Sequence, residues 1–270
     1  MAERRLLATD LDGTLLRSDG SVSDTTRTAI AALAADDGTD LVFVTGRPPM
    51  FLEGFAELTG HNGVVIAANG ALVLDLTTLT PIRIHSIPAA TAEQVVAELA
   101  AAHEGVEIRS MLAAPDGRFD RITTAGPDGP RSHLEQLRAR QEDGWSVAKM
   151  VALVADPDQH PDAFLTSAEG LLAGLVQATH SSRSTPIVEL GPIGVTKGTT
   201  LADHASAIGI PADDVHAVGD MPNDLPMLRW AGHSYAVANA HQRVLSTAGT
   251  ILPANDSDGV AQLIWRLLDR

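Results

Sequence analysis

Several short runs in this chain are apolar at successive positions rather than at alternate ones: LLAT at 6–9, LVFVTGR at 41–47, VVIAANG at 64–70 and DVHAVGD at 214–220. A strand that is apolar on both faces must be covered on both, as in a parallel sheet wrapped by helices. Helical patterns lie between the runs. SDTTRTAIAALAADDG at 23–38 opens with capping residues, carries Ile30 and Leu33 on one face and stops at Gly38. TKGTTLADHASAIG at 196–209, NDLPMLRWAG at 223–232 and the closing DGVAQLIWRLLDR at 258–270 read as helices, with SYAVANA at 234–240 as a further strand. The first and last thirds therefore predict one α/β domain with a Rossmann-like parallel sheet.

The middle third reads differently. TAEQVVAELAAAHEG at 91–105 and PDAFLTSAEGLLAGLVQATH at 161–180 predict helices; KMVALVADPD at 149–158 predicts a strand with a turn, and TPIVEL at 185–190 a strand. The tract at 113–134 is rich in Gly, Pro and Asp and predicts turns and hairpins. This is an α+β insert, residues 84–187, between two halves of one core, 1–83 and 188–270. PIRIHSIPAA at 81–90 and STPIVELGPIG at 184–194 are the connecting segments.

With 44% hydrophobic but only 3% aromatic residues, the core must be built from Ala, Leu, Val and Ile. A net charge of −15 repels nucleic-acid backbones and anionic lipid heads, so neither is an expected partner. The same charge means that a phosphorylated ligand needs a metal or a few placed basic side chains. There are no cysteines, which excludes disulfides and thiolate chemistry and fits the cytosol. The apolar run near the N-terminus breaks at Asp10, and no stretch approaches the roughly 18 apolar residues of a membrane span. The expectation is a soluble cytoplasmic protein.

Sites in open parallel sheets form at the carboxyl ends of strands. Here those ends carry Asp10 and Asp12, then Thr45, then Asn69, then Asp220 with Asn223 and Asp224, while Lys197 opens a helix. Crowded carboxylates at Asp10 and Asp220 suit a hard dication such as Mg²⁺. A carboxylate can attack phosphorus, and Asp12 is placed to act as a general acid. Gly13 lets the chain turn. Thr45 can bond a phosphoryl oxygen, Gly46 lets the backbone approach it, and Lys197 supplies a point charge.

Each feature has a plainer alternative. Asp-Gly alone is a hairpin turn. The pattern does not continue as an EF-hand, and Lys197 does not stand in a Walker A order. Asn69 with Gly70 reads equally as a structural turn. Arg47 reads equally as a substrate ligand and as a partner for a carboxylate. No His-x-x-x-His pair occurs; His103, His160 and His180 read as surface residues, and Trp145, Trp230 and Trp265 as packing.

DLDGT at 10–14, VTGR at 44–47, VTKG at 195–198 and GDMPND at 219–224 resemble, in order and spacing, the four motifs of the haloacid dehalogenase-like superfamily. The insert looks like its type-2 cap, and AANGA at 67–71 with ANDSDGVA at 254–261 resembles the Cof-type phosphatases. The resemblance spans essentially the whole chain. It implies that Asp10 is the nucleophile and Asp12 the general acid and base. It implies a phosphoryl and substrate site of Thr45, Gly46, Arg47, Lys197 and Asn223. Mg²⁺ would be held by Asp10, the backbone carbonyl of Asp12 and Asp220, with Asp224 supporting the metal shell. The superfamily's ATPases carry threonine where this chain has Asp12, and its dehalogenases lack this acid. The superfamily's sugar mutases carry a different, helical cap between the first and second motifs, and the short interval at 15–44 weighs against that branch.

The implied activity is Mg²⁺-dependent hydrolysis of small phosphomonoesters, sugar phosphates or phosphorylated cofactors and vitamins, through an aspartyl phosphate. The expected protein is a monomer or weak homodimer with a phosphorylated metabolite as partner. The cap closes over the site in this family, where Arg109, Arg118, Arg121 and His180 could meet the substrate. Two alternatives stand beside this reading: a phosphotransferase or phosphomutase, distinguished by phosphate appearing on an acceptor, and a non-catalytic phosphometabolite sensor, which would have no need of Asp12.

Overall fold

A computed structural model describes residues 4–125, 129–155 and 160–269. The chain runs through β1 (Arg5–Thr9), α1 (Asp24–Ala34), β2 (Thr39–Val44), α2 (Phe55–Thr59), β3 (Val64–Ala67), β4 (Leu72–Asp75) and β5 (Pro81–Ile84). It continues with α3 (Ala89–Ala102), β6 (Glu107–Ala113), β7 (Phe119–Thr123), α4 (Gly129–Glu142), β8 (Ser146–Leu153), α5 (Pro161–Leu171), β9 (Val176–Thr179) and β10 (Ile187–Pro192). It ends with α6 (Lys197–Ala207), β11 (Val215–Gly219), α7 (Leu225–Trp230), β12 (His233–Val237), α8 (Gln242–Leu245), β13 (Thr250–Leu252) and α9 (Gly259–Leu268). Two compact units result: Met1–Ile82 with Thr196–Arg270, and Arg83–Val195.

The first unit is built on an eight-stranded sheet in the order β13-β12-β11-β1-β2-β3-β4-β5. Strands β13 through β3 are parallel, and β4 turns back antiparallel to β3. The fully apolar runs explain the arrangement. Leu6, Leu7, Ala8, Val42, Phe43, Val44, Ala217 and Val218 are all completely buried, which requires cover on both faces. Helix α1 buries Thr26, Ala29, Ile30 and Leu33, a single helical stripe, and packs with α9. The Ser23 hydroxyl accepts the Thr26 amide at 2.9 Å and so caps α1.

Chain order reverses at β1: the chain proceeds outward to β2 and β3 on one side and later returns beside β1 as β11. Thr9 is level with both Phe43 and Val218. Asp10 therefore stands one step past the paired residues, and Thr45 and Asp220 two steps past them, at the same end of adjacent strands. This is the switch point at which open α/β sheets form sites.

The second unit is a five-stranded sheet in the order β7-β6-β8-β10-β9, with every described pairing antiparallel. Its core joins Val95, Val96 and Leu99 of α3, Leu137 of α4 and Phe164 and Ala168 of α5 to Ile108, Leu112, Met150 and Leu190 of the strands.

Several expectations change here. The single helix expected at 161–180 ends at Leu171, and 176–179 is strand β9. Gly174 adopts φ 76, outside helical space, and VQAT then alternates buried with half-buried, the strand period. The second unit also extends past residue 187. Strand β10 runs to Pro192 because Glu189 through Pro192 pair with Thr179 through Val176, so the core resumes at Thr196 rather than at 188. Helix α4 arises within and beyond the tract read as turns, with only His133 and Leu137 buried. His180, read as a surface residue, is buried: Asp162 lies 2.8 Å from its Nε2 and the Ser182 carbonyl 3.0 Å from its Nδ1. Trp265 is 38% exposed. The turn expected at 156–158, residues 126–128 and residue 270 lie outside the described residues. Among those described, no helix is long and apolar enough to cross a membrane.

His133 is fully buried, with Nε2 2.9 Å from the Ser110 hydroxyl, and burial holds its pKa below the ordinary histidine value. The unfolded chain takes up this proton near pH 6.5, and the folded chain does so only at lower pH. The His133 contribution to stability is therefore present above about pH 6.5 and lost as pH falls through the folded value. The melting temperature of wild type should drop between about pH 7 and pH 5.5, and His133→Gln should show a smaller drop. Parallel pH profiles for the two proteins would contradict this assignment.

Candidate active site

The apolar run of β1 delivers Asp10 in extended backbone, and its amide donates to the Val218 carbonyl at 3.0 Å. The chain must then turn sharply. Gly13, at φ 75, allows a wide turn closed by the Leu16 amide donating to the Leu11 carbonyl at 2.8 Å. A Cβ at Gly13 would lie 2.6 Å from Asp220 Oδ2, so both the backbone angle and the space demand glycine. The Thr14 hydroxyl donates to Asp220 Oδ1 at 3.1 Å, and Asn239 Nδ2 donates to the Gly13 carbonyl at 2.8 Å.

Asp10, Asp220 and Asp224 form one buried acidic cluster, each offering an oxygen within 4.8 Å of the others. Lys197, 1% exposed at the first position of α6, reaches into it. Its Nζ donates to Asp10 Oδ1 and to Asp224 Oδ1, both at 2.6 Å. Helix α6 begins there because Thr196 and Thr199 cap each other, each hydroxyl accepting the other's amide at 3.0 and 2.9 Å. Asp224 is fully engaged: its Oδ2 accepts the amides of Asp220 and Met221 at 3.0 and 2.9 Å. It acts as an anchor that holds Lys197 and the Asp220 backbone together.

One ammonium faces three carboxylates. Burial pushes the Asp10 carboxyl well above the usual range; Lys197 opposes this, and Asp224 and Asp220 add to it. Burial alone would lower Lys197, but Asp10 and Asp224 outweigh it and hold the ammonium above its ordinary value. The donor set is all hard oxygen, buried, and short of positive charge, which fits a divalent cation of the Mg²⁺ type. Asp10 and Asp220 have the chemistry to ligate one directly. Both Asp224 oxygens are already bonded.

Asp12 stands apart from the acidic cluster. Its side chain is 55% exposed and is gripped by Arg47, Nε to Oδ2 at 2.7 Å and Nη2 to Oδ1 at 2.5 Å. Of the two roles read for Arg47, the structure displays the carboxylate partner. The hydrogen bond to Asp12 raises the Arg47 pKa above its usual value. Arg47 also donates to the Phe51 carbonyl at 3.2 Å and lies 4.8 Å over the Phe55 ring.

Thr45 is buried at the end of β2, and its hydroxyl oxygen accepts the Arg47 amide at 3.0 Å across Gly46. Asn223 is also buried and donates through Nδ2 to Asn69 Oδ1 at 3.0 Å. The first unit therefore gathers Asp10, Asp220, Asp224 and Lys197 directly, with Asp12 further along the same turn after β1 and Thr45 and Arg47 just past the neighbouring β2. Arg109, Arg118, Arg121 and His180 belong to the second unit, where Arg109 pairs with Glu107 and Arg118 with Asp116.

Sequence reasoning did not foresee Thr14, Asn239 or the Asn69–Asn223 bond. The only available signal was Asn69-Gly70 itself, whose turn is unusual: Ala68, Asn69 and Gly70 have φ values of 51, 57 and 104. An alanine in the left-handed region costs about 1–2 kcal/mol.

The profile of a family described as haloacid dehalogenase-like hydrolase matches residues 7–264. The chain is 29% identical over 289 residues to phosphatase YwpJ of Bacillus subtilis (strain 168), spanning 98% of this chain and 100% of that protein. It is 27% identical over 289 residues to 5-amino-6-(5-phospho-D-ribitylamino)uracil phosphatase YwtE of the same strain, spanning 98% of each. A haloacid dehalogenase-like hydrolase structure from B. subtilis superposes with a TM-score of 0.78 at 23% identity, covering 97% of this chain and 99% of that one, a likeness of fold. With the profile running nearly end to end and the four strand-end segments meeting around one acidic cluster, the chain belongs to the haloacid dehalogenase-like hydrolases.

Proposed function

We propose that this protein hydrolyses small phosphomonoesters, sugar phosphates or phosphorylated cofactors, with Mg²⁺ and through an aspartyl phosphate on Asp10. The observation that carries the reading is the Lys197 ammonium bridging Asp10 and Asp224 beside Asp220, with Asp12 two residues beyond Asp10. The Asp10 carboxylate attacks phosphorus, the bond from phosphorus to the ester oxygen breaks, and Asp12 gives that oxygen its proton. Asp12, now a carboxylate, takes a proton from water; the resulting hydroxide attacks phosphorus, the bond to Asp10 breaks, and inorganic phosphate leaves.

Lys197 and the Thr45 hydroxyl bind phosphoryl oxygens, with the Gly46 backbone and Asn223 completing the cradle. Asp10, Asp220 and the Asp12 carbonyl would hold Mg²⁺, which supplies charge neutralisation between carboxylates and phosphoryl group. Arg47 bonds both carboxyl oxygens of Asp12, and one of them must be freed to pass a proton to the ester oxygen. The unit Arg83–Val195 is assigned the choice of substrate. The family membership and the relatives named as phosphatases support this reading.

The test is phosphate release from a panel of sugar phosphates, pyridoxal phosphate, flavin precursors and p-nitrophenyl phosphate, with Mg²⁺ and with EDTA. Release that depends on the metal is the expected result. No release from any compound, or release indifferent to EDTA, would contradict the reading.

A further inference from the structure

The turn after β3 does more than join β3 to β4. Those strands are antiparallel neighbours with Ala67 opposite Leu72, and an Asn-Gly pair with two positive φ values closes a hairpin by itself. Here Ala68 is held at φ 51 as well. A residue with a Cβ stays in that region only when its surroundings over-determine it, and such outliers gather at functional sites.

The surroundings are specific. The Ala68 amide donates to the Arg47 carbonyl and the Asn69 amide to the Thr45 carbonyl, both at 3.0 Å. The Thr200 hydroxyl of α6 donates to the Gly70 carbonyl at 2.9 Å. Gly70 lies so close to α6 that a Cβ would be 2.4 Å from the Thr196 carbonyl oxygen. The Asn69 side-chain oxygen takes the Nδ2 donor of Asn223 at 3.0 Å. Asn223 is 5% exposed, and its Oδ1 has no partner among the described residues, so the bond to Asn69 is what sets the rotation of its carboxamide. One turn is thus tied to the strand end bearing Thr45, to the helix that Lys197 leads, and to Asn223.

We propose that Asn69 is a positioning residue for phosphoryl binding. Its Oδ1 fixes the carboxamide of Asn223, and the turn it occupies sets the spacing between Thr45 and α6. The proposal rests on the phosphatase reading above.

Asn69→Gly isolates the side chain, because glycine accepts φ 57 and keeps the backbone bonds while the carboxamide is lost. Its melting temperature should fall by no more than roughly the few degrees that one lost side-chain hydrogen bond accounts for. Its kcat/KM for a phosphomonoester should fall roughly 10- to 100-fold, the scale of a small misplacement in a phosphoryl site. Its affinity for inorganic phosphate with Mg²⁺, read by calorimetric titration, should weaken as well. Because Asn69 acts through Asn223, the double variant Asn69→Gly/Asn223→Ala should be no more impaired than Asn223→Ala alone.

Wild-type phosphate affinity and kinetics in Asn69→Gly, or losses that multiply in the double variant, would overturn the proposal. A wild type that binds phosphate but hydrolyses no ester would contradict the phosphatase reading, while the calorimetric series still decides the role of Asn69. A wild type that neither binds phosphate nor hydrolyses any ester would overturn both.

Discussion

Replacing Lys197 with methionine is expected to destabilise the folded protein by about 3–5 kcal/mol in EDTA, the cost of removing one partner from a buried ion pair. Methionine keeps most of the volume of the side chain and deletes its charge. Lys197 is 1% exposed and is bonded to both Asp10 and Asp224, so its loss leaves three buried carboxylates with no ammonium among them. They can relieve the repulsion only by taking up protons or a cation.

The direction of the pH dependence follows. Burial already raises the Asp10 pKa, and Lys197 is the main influence lowering it. Without Lys197 the folded value rises further. A group with a raised folded pKa favours the folded state below its unfolded pKa, about 3.9 for aspartate, and loses that contribution as pH rises through the folded value. The deficit of Lys197→Met should therefore widen from acid toward neutral pH, opposite in sign to the His133 effect. Added Mg²⁺ should recover part of it. Melting curves of both proteins at two pH values, with EDTA and with Mg²⁺, check this. A deficit indifferent to both would mean that Lys197 contributes packing alone.

Asp10→Asn is expected to abolish phosphatase turnover, by roughly 10⁴- to 10⁶-fold, the range seen when one member of a catalytic unit is removed. The amide is nearly isosteric and cannot form the acyl phosphate. The fold should survive, because the change removes one of three carboxylates served by a single ammonium, the one whose negative charge burial, Asp224 and Asp220 all disfavour. Melting temperature and phosphate release measured side by side separate the two effects. Loss of activity together with loss of fold would leave Asp10 a structural residue.

The first unit was legible because its signals are local. LLA at 6–8, LVFV at 41–44 and VVIAA at 64–68 are apolar at every position, and each is followed by a polar residue, Thr9, Thr45 and Asn69, so strand, cover and strand-end chemistry could be read from a few residues at a time. The second unit was less legible. Helix α4 carries little apolar surface, and the helix expected at 161–180 hid a turn and a strand whose partner, β10, pairs with it across the sequence.

Within the site, residue types showed which groups are present and not how they pair. That Arg47 would close on Asp12, 35 positions away, or that Asn223 would meet Asn69, 154 positions away, is a product of the strand order. That Asp224 Oδ2 is occupied depends on backbone amides, which carry no sequence signature. His180 looked like a surface residue because its partners, Asp162 and the Ser182 carbonyl, meet it only after α5 and β9 are folded.

The reaction proposed here passes through a phosphoryl group held on Asp10. Acid quenching of wild type during turnover of p-nitrophenyl phosphate with Mg²⁺, followed by peptide mass analysis, tests it most directly. One phosphoryl group is expected on the peptide that contains Asp10, and none in Asp10→Asn. A phosphoryl group on another residue, or undiminished phosphate release by Asp10→Asn, would contradict it.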